Sequence, residues 1–86
     1  MNQSILFPEL QSYCELTEHI EFPAQTNGQL IYCVLGRDKL HHISQEQSEN
    51  EAQLLALFEQ YRFDIEELAE QLIENEQFAE DGKIYI

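Results

Sequence analysis

The chain has 86 residues, of which 43% are apolar, and seventeen Asp and Glu against four Lys and Arg give it a formal charge of −13. That length has room for one domain with a modest core, and the apolar content argues against disorder. The excess of carboxylates predicts no direct contact with nucleic acids or anionic membranes, since both attract clustered Lys and Arg. We therefore expect a single anionic domain over residues 1–86.

The N-terminal residues, the longest apolar run and the cysteines predict the cellular compartment of the chain. Residues 1–4 lack the basic region and apolar stretch of a secretory leader, and the longest apolar run, residues 30–35, falls far short of the roughly 20 residues that span a bilayer. Cys14 and Cys33 have no spacing typical of a disulfide framework or a zinc site. We expect a cytoplasmic protein with two reduced cysteines and no membrane segment.

The first elements are short. Residues 5–7, Ile-Leu-Phe, predict a brief strand that stops at Pro8, because proline cannot donate a hydrogen bond to a ladder. Residues 9–17 show no clear periodicity. They are predicted to form an irregular connection with room for a turn of helix.

Asn27-Gly28 lies between two β-rich runs and predicts a hairpin, since a two-residue turn of this type needs positive φ at both positions. The register then places one set of residues on a face that belongs to the core: Ile20, Phe22 and Ala24 opposite Leu35, Cys33 and Ile31. The reverse face pairs Glu21, Pro23 and Gln25 with Val34, Tyr32 and Leu30. Because this face is half apolar, Leu30, Tyr32 and Val34 are the candidate contact with a partner.

Three helices are predicted after the hairpin. Residues 36–43 can form a short helix with Leu40 and Ile43 facing inward. A capping box at Ser44 or at Ser48 predicts the start of a second helix. Its buried stripe would be Leu54, Leu55, Phe58 and Tyr61.

The third helix is expected to begin with Asp64 as its cap, with Phe63 packed against Leu68, and to end near Glu76. Its apolar face would be Ile65, Leu68, Ala69, Leu72 and Ile73. Asp81-Gly82 predicts a turn, and residues 83–86 alternate as a closing strand. The expected fold is α+β: a small, largely antiparallel sheet with a short helix and two amphipathic helices packed on one face.

The order and spacing of short apolar pieces resemble a known bacterial family, the domain of unknown function numbered fourteen eighty-eight. The pieces are Ile5-Leu6-Phe7-Pro8, Ile20-Glu21-Phe22-Pro23-Ala24, Asn27-Gly28 with Ile31-Tyr32-Cys33, Phe58 near Arg62 and Asp64-Ile65-Glu66, and a final Asp81-Gly82. The resemblance spans nearly the whole chain. It implies a small α+β fold in the bacterial cytoplasm, with no assigned activity, cofactor or catalytic residue.

Few side chains invite a chemical role. Cys14 and Cys33 are expected to be small buried hydrophobes, and His41 and His42 to be solvated, so no metal ligand is predicted. Arg62 is expected to tie two helices together by a charge-assisted bond. No set of nucleophile, base and orienting group can be named, which predicts neither a catalytic residue nor a cofactor.

Two functions follow from these features. The first is a non-enzymatic interaction module that meets an unknown protein partner or a second copy of itself, as a homodimer, through the half-apolar reverse face. The alternative is an acidic mimic of nucleic acid, because Glu46 to Asp81 holds twelve acids against one base, Arg62. Such a mimic would bind a basic, nucleic-acid-binding protein.

Overall fold

A computed structural model describes residues 5–86; Met1–Ser4, whose composition argued against a secretory leader, lie outside the described residues. The elements in chain order are β1 (Ser12–Cys14), β2 (His19–Thr26), β3 (Gln29–Gly36), α1 (Arg37–Ser44), α2 (Glu51–Gln60), α3 (Arg62–Glu74) and β4 (Ile84–Tyr85). The sheet has the order β1-β2-β3-β4, antiparallel except for the parallel pair of β3 and β4. The predicted α+β class is confirmed, while the packing of all helices on one face stays a prediction.

The β2–β3 hairpin has the predicted turn and register. Asn27 and Gly28 have φ values of 53° and 78°, which is the left-handed region that this turn requires. The pairs run from Thr26 with Gln29 to His19 with Gly36, and they include every pair expected from the sequence. The hairpin is therefore specified by local chemistry at its tip.

The inner face of this hairpin forms the core, as predicted. Phe22, Cys33 and Leu35 are fully buried in one cluster with residues of all three helices, and Ile31 is half-buried against it. The Phe22 ring lies 5.2 Å from the Phe58 ring of α2, in the tilted arrangement that aromatic pairs favour. Sheet and helices are thus joined through contacts between large apolar side chains.

The N-terminal segment differs from prediction. Residues 5–7 form a single antiparallel bridge, in which the backbones of Leu6 and Gln25 exchange hydrogen bonds of 2.8 and 2.7 Å, rather than a strand. The connection predicted to be irregular contains β1, which pairs with β2 from Ser12 opposite Glu21 to Cys14 opposite His19. A strand of three residues is too short to show a period, so its pairing comes from the available edge of β2.

Pro23 lies on β2 between the Leu6–Gln25 bridge and the ladder of β1 with β2. Its nitrogen faces the same side of β2 as the backbone of Gln25, two residues further on, and it has no N–H to donate. The chain therefore leaves the ladder over residues 7–11 and returns to it at Ser12. A tight turn from the Leu10 N–H to the Pro8 carbonyl, 2.8 Å, shapes this excursion.

Helix α1 agrees with prediction in position but not in its histidine. Leu40 is buried and Ile43 half-buried, as expected, whereas His41, predicted to be solvated, is only 9% exposed. Its Nε2 accepts the backbone N–H of Ser48 at 3.1 Å and lies 2.7 Å from the Ser48 hydroxyl. The hydrogen bonds of this ring thus connect α1 to the loop that leads to α2.

Helix α2 begins at neither predicted cap. Asn50 is the N-cap: its side chain accepts the Gln53 N–H at 2.9 Å, while the Gln53 side chain accepts the Glu49 N–H at 2.7 Å. Ser48 is instead engaged by His41. The buried residues are Leu54, Leu57 and Phe58, so Leu57 joins the predicted stripe and Leu55 is half-buried.

Helix α3 starts two residues before the predicted cap. Tyr61 is at once the C-cap of α2 and the N-cap of α3, and Asp64 lies inside the first turn. Phe63 is 76% exposed, which contradicts its predicted packing against Leu68. The helix ends at Glu74, with Ile65, Ala69 and Ile73 buried. No helix within residues 5–86 is both long and apolar enough to cross a bilayer.

The predicted Asp81-Gly82 turn is confirmed, and it is clamped by the Asp81 carboxylate. Gly82 has φ of 85°, and its N–H donates to the Ala79 carbonyl at 2.9 Å. The Lys83 backbone N–H donates to Asp81 Oδ1 at 2.9 Å, and the Tyr85 hydroxyl donates to Oδ2 at 2.7 Å. These bonds, the Lys83 N–H first, lower the pKa of Asp81.

Asp81→Asn is expected to be less stable than the native chain at pH 7 and to approach it at low pH. A lowered folded pKa means that the ionised carboxylate contributes stability above its unfolded pKa of about 3.9, and that this is lost as pH falls through the folded value. Urea unfolding at pH 7 and at about pH 3 measures the difference. Glu80→Gln removes the same charge from an exposed neighbour and should show no such convergence; equal behaviour of both variants would contradict the clamp.

Candidate functional site

The reverse face of the hairpin carries a mostly apolar groove of about 260 Å³. Leu30 and Tyr32 of β3 form one side, and Pro23 and Glu21 of β2 lie below. The other side is formed by Pro8, Leu10, Gln11 and Ser12. Leu30, Tyr32 and Leu10 are 53%, 42% and 64% exposed. We call this surface the reverse groove. Two of the three residues predicted as a partner contact are thus exposed and share one concave surface.

Val34, the third predicted contact residue, is buried, with 6% exposed. Lys83 precedes β4, and its Nζ reaches Glu21 Oε2 on β2 at 2.6 Å. Because β3 lies between β2 and β4, this ion pair must pass over the reverse face of β3. It offers a physical reason why Val34, paired with Glu21, is buried while Tyr32 is exposed.

The far side of the reverse groove is the excursion of residues 7–11 opposite Pro23. Leu10 is on this segment, and nothing in its local sequence predicts where it lies. Leu6, 60% exposed, shares the reverse face, since Leu6 pairs with Gln25 and Gln25 with Leu30. Sequence reasoning missed Leu6 because the pairing partner of residues 5–7 was not predicted, and Leu10 because residues 9–17 show no clear periodicity; the proline inside β2 was the available signal.

Arg62 holds this excursion in place. Its Nη2 donates to the Pro8 carbonyl at 2.8 Å and its Nη1 to Gln11 Oε1 at 3.0 Å. It also bonds Glu59 of α2 at 3.3 Å and Glu66 of α3 at 2.7 Å, which confirms that it ties the two helices together. The guanidinium lies 5.3 Å from the Phe58 ring centroid, a cation–π distance. One side chain therefore connects helices, core and groove.

A second concave surface, of about 330 Å³, lies beside β1 and the start of α2. It is polar, and its lining includes Tyr13, the Arg37–Glu18 ion pair (3.4 Å) and Ser48. Burial raises the pKa of Tyr13. Ser48 and His41 are at nucleophile–base distance, but Ser48 is only 5% exposed and His41 Nε2 already accepts its backbone N–H. The pair therefore has a structural role, and Ser48 is not an activated serine nucleophile.

The two cysteines have different environments. Burial raises the pKa of Cys33 to about 12, in line with its expected role as a buried hydrophobe. Cys14 is half-buried rather than buried, and a hydrogen bond from the Thr17 side chain, followed by its backbone N–H, lowers its pKa. Both are free. In the described residues no group of three or more Cys, His, Asp or Glu could hold a metal ion.

Alkylation of the native protein at pH 7 is expected to modify Cys14 and leave Cys33 protected. The thiolate is the reactive form, and the two pKa values are displaced in opposite directions. Timed iodoacetamide labelling with mass spectrometry measures both sites, and Cys14→Ser should abolish the fast phase. Thr17→Val should move the pH midpoint of labelling upward. Similar rates at both cysteines, or an unchanged midpoint in Thr17→Val, would contradict these assignments.

The fold and surface together define a small α+β protein with an apolar groove over its sheet. The chain belongs to the family described as Protein of unknown function (DUF1488), which matches residues 5–86. This confirms the resemblance expected from the sequence.

Its relatives are bacterial. The uncharacterized protein YrdB of Escherichia coli (strain K12) is 33% identical over 86 residues, covering 100% of this chain and 99% of the relative. The protein of the same description from Shigella flexneri is 31% identical with the same coverage. A crystal structure of a protein of unknown function from the same family, from Shewanella loihica PV-4, is 46% identical, covers 100% of this chain and 94% of that chain, and has a TM-score of 0.93. None of these descriptions indicates an enzyme family.

Proposed function

We propose that the chain is a non-enzymatic protein-interaction module whose contact surface is the reverse groove. The observation that carries the proposal is the grouping of exposed Leu10, Leu30 and Tyr32 around one mostly apolar concavity. Large exposed apolar side chains that cluster on so small a domain are typical of a surface that meets another molecule. The reduced cysteines support a cytoplasmic place of action within this proposal.

Two further features support binding at the reverse groove. Its shape depends on Arg62, which holds residues 7–11 through two bonds, so the far side is organised before any partner arrives. Tyr32 supplies a rigid amphipathic ring of the kind enriched at interfaces, and Pro23 makes the floor stiff. The occupant is either another polypeptide or a second copy of the chain.

Position-specific photo-crosslinking tests the proposal. Leu30 or Tyr32 would be replaced by a photoreactive phenylalanine analogue in Escherichia coli, where a relative occurs, and Leu16 and Phe63 would serve as control positions because they are 95% and 76% exposed outside the reverse groove. We expect a discrete protein adduct from the groove positions and none from the controls. An adduct of about twice the 10.1 kDa chain mass identifies a homodimer, which sedimentation would confirm. Equal labelling at all four positions, or none in the groove, would refute the proposal.

The acidic-mimic alternative has a weaker physical basis. Glu66, Glu70 and Glu74 repeat every four residues along α3 and so lie on one side of the helix, about 6 Å apart. However, Arg62 neutralises Glu66 at one end and also pairs with Glu59. If mimicry were the function, a triple Glu→Gln variant at these positions would lose a basic nucleic-acid-binding partner that Leu30→Ser retains.

A further inference from the structure

The charges around the reverse groove are unbalanced. Glu9 is exposed between the lining residues Pro8 and Leu10, and Glu59 accepts a bond from the lining residue Gln11 at 2.6 Å. Among the cations of residues 5–86 near the groove, Lys83 is bound to Glu21, and Arg62 is shared between Glu59 and Glu66, so one negative charge of that trio stays unbalanced. Arg37 and Lys39 do not line the groove. An apolar concavity therefore opens in an anionic surface, on a chain that carries a charge of −13.

The dimensions of the reverse groove limit what enters it. It runs across β1, β2 and β3, two interstrand spacings or roughly 10 Å, which is about three residues of extended chain. In an extended segment, the first and third residues point to the same side. Two apolar side chains can thus enter together, next to Leu10 on one side and Leu30 on the other.

We infer that the occupant of the reverse groove is a basic extended segment of another protein, with two apolar side chains two residues apart and Lys or Arg on both flanks. This rests on the proposed function and names the partner class. The apolar pair would be buried against Leu10, Leu30 and Tyr32, and the cations would meet Glu9 and Glu59. A second copy fits poorly, because it would bring another −13 charge and its own Glu9 to the same surface.

Three synthetic peptides separate the two parts of the inference: Lys-Lys-Leu-Ser-Leu-Lys-Lys, its counterpart with Glu flanks, and one with Lys flanks and an all-Ser centre. Each would be titrated into the ¹⁵N-labelled full chain in 50 mM and 500 mM NaCl. We expect the first to bind at least about tenfold more tightly than either of the others in low salt, with signals of Leu10, Leu30 and Tyr32 shifting. High salt should reduce the advantage over the Glu-flanked peptide, because exposed charges are screened.

Leu30→Ser should weaken binding of the first peptide, and Leu16→Ser, at an exposed position away from the reverse groove, should not. Equal binding of the Lys- and Glu-flanked peptides overturns the basic partner. Equal binding of the Leu- and Ser-centred peptides overturns the use of the apolar groove. If these tests fail while photo-adducts still form at Leu30, the interaction module stands with a partner of different chemistry; if both fail, both proposals are wrong.

Discussion

Phe58→Ala is expected to lower the free energy of unfolding by about 3–5 kcal/mol, the range for removing a buried aromatic ring. Phe58 is fully buried, contacts the Phe22 ring on the sheet and lies under the Arg62 guanidinium. The substitution therefore leaves a cavity at the place where helix and sheet meet. Urea unfolding followed by circular dichroism measures the loss.

Phe63→Ala is the matched control, since it removes the same ring five residues away from a position that is 76% exposed. Its effect should remain within about 0.5 kcal/mol. Phe58→Leu keeps most of the volume and should lie between the two. A similar loss from Phe58→Ala and Phe63→Ala would show that the core is not centred on Phe58.

Arg62→Ala is expected to cost about 2–3 kcal/mol, because it removes a cation–π contact and several charge-assisted bonds, including one of the two donors to the Pro8 carbonyl. The side chain is 12% exposed, so solvent does not replace these contacts freely. Arg62→Lys keeps the charge but not the planar fork, and should recover part of the loss. Chemical denaturation of the three proteins measures the series.

Arg37→Ala is the control for Arg62→Ala. Arg37 makes an exposed 3.4 Å ion pair with Glu18, of a kind worth about 0–1 kcal/mol. Arg62→Ala should also shift the amide signals of residues 9–11, since this segment loses its anchor, whereas Arg37→Ala should leave them in place. Unchanged signals at residues 9–11 would mean that the far side of the reverse groove is held by other contacts.

The effects of Arg62→Ala on the free energy of unfolding and on the amide signals connect stability with the proposed function. The same guanidinium that joins α2 to α3 positions the segment carrying Leu10. A variant that stays folded but releases this segment should lose affinity for the apolar-centred peptide while keeping its core. Comparing unfolding energies with peptide affinities would therefore separate a stabilising role from one in shaping the reverse groove.

The sequence by itself determined the features that depend on neighbours along the chain. Asn27-Gly28 demands positive φ at two successive positions, and that turn specifies every pair of β2 with β3. With the register known, period-2 alternation assigns Phe22 and Cys33 to the core and Leu30 and Tyr32 to the reverse face. The net charge and the order of the apolar segments are also properties of the sequence alone. The family resemblance that rests on this order is confirmed.

The tertiary structure decided whatever depends on residues distant in sequence. Strand β1 forms because β2 offers it an edge, Val34 is buried where Lys83 reaches across to Glu21, and His41 is buried because Ser48 meets its ring. The start of α2 differs from prediction for a similar reason, because Ser48 is bonded to His41 and Asn50 caps the helix instead. Local patterns report what a segment can do, whereas the burial of a given side chain is decided by the segments that fold over it.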